Sequence, residues 1–392
     1  MKSRQTRGAL ALGMLALAVA ASVGVVAQQG PGVQRGRPGA GRSPEFPVPA
    51  ITDYKPRNTL KVPQHPTPRA KFPVIDIHSH QPTPISPEQF AKVVEGMDAN
   101  NLRVLINLSG GFGDQLRRGL EAIASSPLKD RMVLFANVDF RGVGTPGWSE
   151  RAAAQLEGDI RAGARGLKIF KDLGLRIRKA DGSRLKVDDP ENPDLDPVWA
   201  VCGRLGVPVL IHTAEPQEFF EPIDTSNERW LELALFRDRR YPAAEFPRFE
   251  ELLAERDRMF RRHPKTKFIA AHFGYRGNDL AKAQVMLDTM PNVYLEVAAI
   301  LAELGRQPRT AHDFFVKNQD RVLFGKDSFQ PDEFPYYWRT FETGDEYFDY
   351  YRDYHAFWKL YGMALPDEVL KKLYYKNSLA LVPGLPKTGW PN

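Results

Sequence analysis

VIDIHSH, residues 74–80, opens as a buried strand and closes on polar groups at every second position. Side chains alternate across a strand with period two, so Asp76, His78 and His80 share one face. Two imidazoles at the end of an apolar run fit either a metal site or an ordinary polar strand end. The rest of the chain has to decide between them.

The pattern repeats. Short apolar runs recur as LRVLINLSGG, RMVLFANVDF, RGLKIFKDL, VPVLIHTAE, TKFIAAHFG, VYLEVAAI and RVLFGKDSF, with amphipathic stretches of helical length between them. Eight strands alternating with helices predict an α/β fold, a (β/α)8 TIM barrel over residues 72–385 followed by a short tail, 386–392. An open doubly wound sheet would want a Gly-rich phosphate turn, and SGGFG after the second strand does not fit GxGxxG. The barrel carries surplus chain after strands four and five. LRIRKADGSRLKVDDP reads as a hairpin turning at Asp181-Gly182, and residues 218–262 as a partly helical insertion. Ser86 and Ser149 sit at N-cap positions, and Gln89 completes a capping box with Ser86. EYFDYYRDYHAFWKLYG and DEVLKKLYYKNSLALV read as closing helices.

Lys2, Arg4 and Arg7 precede a long apolar run that ends in Val25-Val26-Ala27. This predicts a signal peptide over residues 1–27, cleaved before Gln28, and a periplasmic or secreted protein with no stable membrane insertion afterwards. The competing reading is an uncleaved anchor. Residues 28–71 form a Pro/Gly-rich linker without apolar period. The 54 basic and 48 acidic residues nearly balance, and no basic stripe with interleaved aromatics points to nucleic acid. Cys202 is the only cysteine, so an intrachain disulfide is excluded and the core must hold the domain together. The expected partner is a small-molecule substrate, with a homo-oligomer compatible.

In a barrel the C-terminal strand ends converge on one mouth. That would bring together His78 and His80 from strand one, Lys168 and Lys171 from strand four, His212 from strand five, His272 from strand six and Asp327 from strand eight. Imidazoles with a carboxylate suit Zn²⁺, with Mn²⁺ or Fe²⁺ compatible. The other histidines read as ordinary. His65 lies in the linker, His263 at the opposite end of the barrel, and His312 and His355 in helix patterns.

DIHSH, GLKIFK, LIHTAE, AAHFG and VLFGKD, spread from Phe72 to Phe329, resemble the amidohydrolase superfamily. The likeness is to its amidohydrolase-related family, which also contains decarboxylases and lactonases. The resemblance implies one metal held by His78, His80, His212 and Asp327. Asp327 and His272 would be catalytic, His272 touching the substrate or the attacking water. Two-metal members use a carboxylated lysine on strand four, a role open to Lys168 or Lys171 only if it points inward. Relatives often have Thr where Lys326 stands.

On the substrate side, Glu215, Arg229, Trp230, Tyr275 and Glu296 fall at or past strand ends. Lys168 and Arg229 are candidates to pair with a substrate carboxylate, and Trp230 to cover a ring. Asp76 would either orient a ligand ring or cap a loop. The expected activity is metal-dependent hydrolysis of an amide, ester or lactone through an activated water. A nonoxidative decarboxylase of an aromatic or unsaturated acid is the alternative, and a non-catalytic metal- or ligand-binding protein a third class.

Overall fold

The strands form where the apolar runs predict them: β1 (Val74–Ser79), β2 (Leu102–Asn107), β3 (Met132–Leu134), β4 (Leu167–Ile169), β5 (Val209–Ile211), β6 (Phe268–Ala270), β7 (Val293–Glu296) and β8 (Val322–Leu323). The computed structural model describes residues 45–355 and 358–391. The segment read as a signal peptide, and the linker as far as residue 44, lie outside the described residues. Among the described residues no helix is long and apolar enough to cross a membrane.

Every strand pairing of the barrel is parallel, in the orders β1-β2-β3 and β4-β5-β6-β7-β8. Two bridges join these arcs, Ala136–Leu167 on one side and Ser79–Asp327 on the other. Around the second seam Ile77 donates to Phe324 O at 3.0 Å, and Asp327 donates to His78 O at 2.7 Å. The eight strands therefore close into a (β/α)8 barrel. Parallel strands covered by helices bury both faces, which is why they read as unbroken apolar runs. Val74, Ile75, Ile77, Val209, Leu210, Phe268 and Ile269 are all fully buried.

Helix starts follow local chemistry. Ser86 and Gln89 exchange both bonds of the capping box before the helix Pro87–Asn100. Ser149 is not a cap. The helix it was expected to start begins at Trp148, because Gly147 turns left-handed ahead of it (φ 72°), a conformation serine resists.

After β4 the chain folds back at Asp181-Gly182 with an antiparallel Arg178–Arg184 bridge. After β5 it carries the helices Trp230–Leu235 and Phe249–Arg262. Asp367–Leu381 is helical with one wide turn at Lys372–Lys376, and Leu373 O ties it to β8 through Phe324 N–H at 3.0 Å.

One helix expectation is wrong. In residues 346–362, Phe348–Asp349 pairs antiparallel with Lys359–Leu360, with a short turn at Asp353–His355. The aromatic rings decide it. Tyr350 packs on Tyr351 at 4.6 Å and on His355 at 5.2 Å, contacts a regular helix would scatter around its axis. Upstream, the end of the Pro-rich segment is tied down, with His65 donating from its backbone to Asp345 at 2.8 Å.

Candidate metal centre and cavity

β1 ends by aiming His78 and His80 into the barrel mouth, and the β8–β1 seam lays Asp327 beside them. His78 Nε2 is 3.5 Å and His80 Nε2 3.4 Å from Asp327 Oδ1. Donors bound at about 2.1 Å to a tetrahedral ion stand roughly 3.4 Å apart, so this spacing suits one. The ligand atoms of these three residues all lie within 4.8 Å of one another. The two imidazoles hold the Asp327 carboxyl well below the usual carboxylate range against its burial.

Hydrogen-bond roles sharpen the fit. His78 Nδ1 faces the Glu296 carboxylate at 3.0 Å, so Nδ1 carries the proton and Nε2 keeps its lone pair. His272 Nδ1 faces Ala298 O at 2.8 Å, which again leaves Nε2 as the lone pair. His212 Nε2 faces Ala214 O at 3.1 Å, so its lone pair is on Nδ1. His212 Nδ1 and His272 Nε2 then stand 3.2 Å apart as two acceptors. Burial lowers both pKa values, which keeps both rings neutral at pH 7. Two lone pairs at that distance need a shared proton or cation between them. The donor set thus fits a divalent metal through the His78–His80–Asp327 spacing, and the His212–His272 pair beside it leaves room for a cation or a proton. The two groups meet where the His78 and His272 rings lie 5.0 Å apart.

Glu296, at the end of β7, organises this ring from below. Oε1 accepts from His78 Nδ1 and from the His272 backbone at 2.7 Å, and Oε2 accepts from the Ala298 backbone at 2.6 Å. The residue is fully buried and absent from the cavity wall. Its expected place against substrate is therefore corrected: the carboxylate is committed to fixing two rings. The chain after β6 needs that support. His272, Phe273 and Gly274 are all left-handed, with φ of 55°, 58° and 59°. Such a conformation costs about 1–2 kcal/mol for each non-glycine residue. Phe273 packing on Phe314 at 5.3 Å shares the load with Glu296.

Lys168 points inward and is buried, its Nζ 3.2 Å from His78 Nε2. Burial pulls its pKa down to about 8. It faces the metal ligands rather than open cavity. Lys171 turns elsewhere and pairs with Glu215 at 2.5 Å. Glu215 also accepts from Tyr275 OH at 2.8 Å, and that hydroxyl lies 2.8 Å from His212 Nε2. Burial alone would raise the Glu215 carboxyl, but His212 and Lys171 bring it below its ordinary value.

A cavity of about 220 Å³ opens beside this ring, lined by His212, His272, Tyr275, Asp327, Glu215 and Arg229 among others. Arg229 reaches it but is already matched, to Glu232 at 2.9 Å and to Glu303. His355, expected to be ordinary, is buried against the same pair, 3.1 Å from Arg229 Nη1 and 3.2 Å from Glu232 Oε2. Trp230 is 41% exposed and does not line the cavity, so the ring-covering role has no structural basis. The helix Trp230–Leu235 turns its buried side, Leu231 to Leu233, inward instead.

Asp76 caps the loop. Its Oδ1 accepts from the backbones of His78 at 3.0 Å and Lys326 at 3.1 Å, and burial raises the carboxyl to about 7. Lys326 sends its ammonium to Ser328 O at 2.8 Å and to Glu333, so its charge is compensated away from Asp327.

Among solved structures, a TIM-barrel protein from Bordetella bronchiseptica is 15% identical, with TM-score 0.48 over 79% of this chain and 97% of that one. A 4-oxalomesaconate hydratase from Rhodopseudomonas palustris is 14% identical, with TM-score 0.46 over 79% and 95%. An amidohydrolase from Burkholderia multivorans with bound zinc is 15% identical, with TM-score 0.40 over 79% and 98%. No curated protein matches. The amidohydrolase family model matches residues 60–384, the span that supplies the barrel and every residue of the ring, and the chain belongs to that family.

Proposed function

We propose that the protein is a metal-dependent hydrolase that cleaves an amide, ester or lactone bond of a small molecule, with one divalent ion, Zn²⁺ first. The observation that carries this is the His78–His80–Asp327 cluster opening onto a cavity walled by His212, His272 and Tyr275. The residues that would hold the ion are His78, His80 and Asp327, with His212 contributing its Nδ1 lone pair. When bound, the ion polarises water and the scissile carbonyl.

The chain's own groups do the rest. Asp327 uses Oδ1 against the two imidazoles, which leaves Oδ2 to accept a proton from the attacking water. His272 is locked by Ala298 O with its lone pair on Nε2, the atom that holds a proton and returns it to the leaving group. Tyr275, fixed between His212 and Glu215, presents its ring along the cavity wall. Lys168, the inward lysine, is the group that decides whether a second ion is bridged. The apolar N-terminal run motivates the further reading that the chain is exported and begins at Gln28. Terminal sequencing of the secreted form checks it, and an intact Met1 on membranes overturns it.

The test of the activity is a panel. Protein loaded with Zn²⁺ or Mn²⁺ is incubated with lactones, esters, N-acyl amides and hydroxybenzoates, and read for acid release and CO2. Acid release from one of the first three classes is expected. CO2 evolution without hydrolysis replaces this reading by the decarboxylase, and no turnover in any class with either metal removes both.

A further inference from the structure

The cavity holds four basic residues among the described ones, Lys171, Arg229, Arg239 and Arg352. Three are neutralised. Lys171 pairs with Glu215, Arg229 with Glu232 and Glu303, and Arg239 with Glu232 at 2.5 Å. Arg352 differs. Among the described residues no carboxylate pairs with it, and its guanidinium lies 5.5 Å from the Tyr351 ring centroid.

Its surroundings are phenols. Tyr350 and Tyr351 precede it in the chain, and Tyr354, which shares the cavity wall, follows. The hydroxyls of Tyr350 and Tyr351 are buried without a hydrogen-bond partner. Burial raises both phenols above their ordinary range, so neither supplies a negative charge. A half-buried guanidinium with no counter-charge is costly, and a site that keeps one has an anion to meet. Arg352, Asp327 and His272 line the same cavity.

We propose that Arg352 is the anion-recognising residue of the cavity, and that the substrate is a small carboxylate whose scissile bond lies at the Asp327–His272 wall. A guanidinium accepts a carboxylate by two parallel bonds, which fixes orientation as well as affinity. The matched Arg229 helps build the wall, and Arg352 is the cation that meets the ligand. The proposal rests on this cavity being the substrate site of the proposed hydrolase. Its test reads binding without turnover, so each reading fails on its own.

The probes are acetate, benzoate and succinate, each beside its neutral amide. They are titrated calorimetrically at constant ionic strength into the full protein, as purified and after dialysis against a chelator. At least one carboxylate is expected to bind saturably in both forms, about tenfold or more tighter than its amide. Arg352→Gln should weaken that carboxylate by about tenfold or more and leave the amide unchanged. Arg352→Lys, which keeps the charge and loses the fork, should recover part of the loss. Melting curves of both variants should overlay the wild type. The proposal is overturned if no carboxylate outbinds its amide, if Arg352→Gln binds as tightly as wild type, or if binding vanishes on chelation, which would assign it to the metal. A variant with a lowered melting point but unchanged carboxylate preference also overturns it.

Discussion

The ring at the barrel mouth and the wall of the cavity beside it are both built from buried charge, but they are anchored differently. In the ring, Glu296 and Asp76 bond backbone N–H groups of His78, His272, Ala298 and Lys326. In the wall, Arg229, Glu232, Arg239 and His355 bond one another, side chain to side chain. The wall also leaves Arg229 Nε, Glu303 Oε2 and His355 Nδ1 buried without hydrogen-bond partners. Backbone anchors fix a donor atom's position, as metal coordination demands. Side-chain pairs can exchange partners, as a wall that accepts a ligand demands. The ring should therefore fail by losing its ion, and the wall by losing stability or binding.

The largest expected effect is in the ring. His80→Ala should lose metal and activity together, read by elemental analysis and turnover on one preparation. His80 is a better probe than His78, because its side chain is 30% exposed and its removal strands no buried carboxylate. A variant that keeps its metal would remove His80 from the ligand set.

Next comes the boundary between the two regions. If its task is proton traffic, His272→Ala should keep most of the metal and lose activity by about 10²- to 10⁴-fold. A metal-free His272→Ala would instead make the lone pair on Nε2 a ligand and move His272 fully into the ring.

In the wall, Glu232→Gln should lower stability by about 3 kcal/mol, because Arg229 and Glu232 are 4% and 2% exposed, with metal content unchanged. Burial would raise the Glu232 carboxyl, but His355 and Arg229 bring it from 4.5 to about 2. A folded value below the unfolded one stabilises the protein fully above about pH 4.5, and that stabilisation fades as pH falls toward 2. Wild type should therefore lose stability more steeply than Glu232→Gln across that window in urea titrations. Equal slopes would mean the pair does not govern the acid limb. The smallest effect is expected at Trp230→Ala, within about 0.5 kcal/mol and with unchanged turnover, since the ring faces solvent.

Much of the ring was legible because strand ends carry their own signature. An imidazole or carboxylate at the close of a buried apolar run, as in DIHSH, LIHTAE and AAHFG, has to be accommodated by something. The wall was not legible for the same physical reason that it differs. Its pairs join residues such as Arg229 and His355, 126 positions apart, with no local pattern to link them. The tyrosine-rich stretch around Arg352 mimics helical spacing, and only ring packing in three dimensions reveals a hairpin. Glu296 lay between these cases. An acid inside VYLEVA is conspicuous, but its partner His78 lies 218 positions away, so its task could not be read from the strand alone.

The seam between the first and last strands has a temporal meaning. Asp76 reaches the Lys326 backbone across 250 positions, and Asp327 meets His78 at the same junction. Contacts that distant carry the greatest loop-closure entropy and form late. The centre therefore cannot exist in a chain whose barrel is still open. During refolding, the capacity to take up metal tightly should return with the slowest phase of tertiary signal. A burst of tight uptake before that phase would show that the ring forms without the closed barrel.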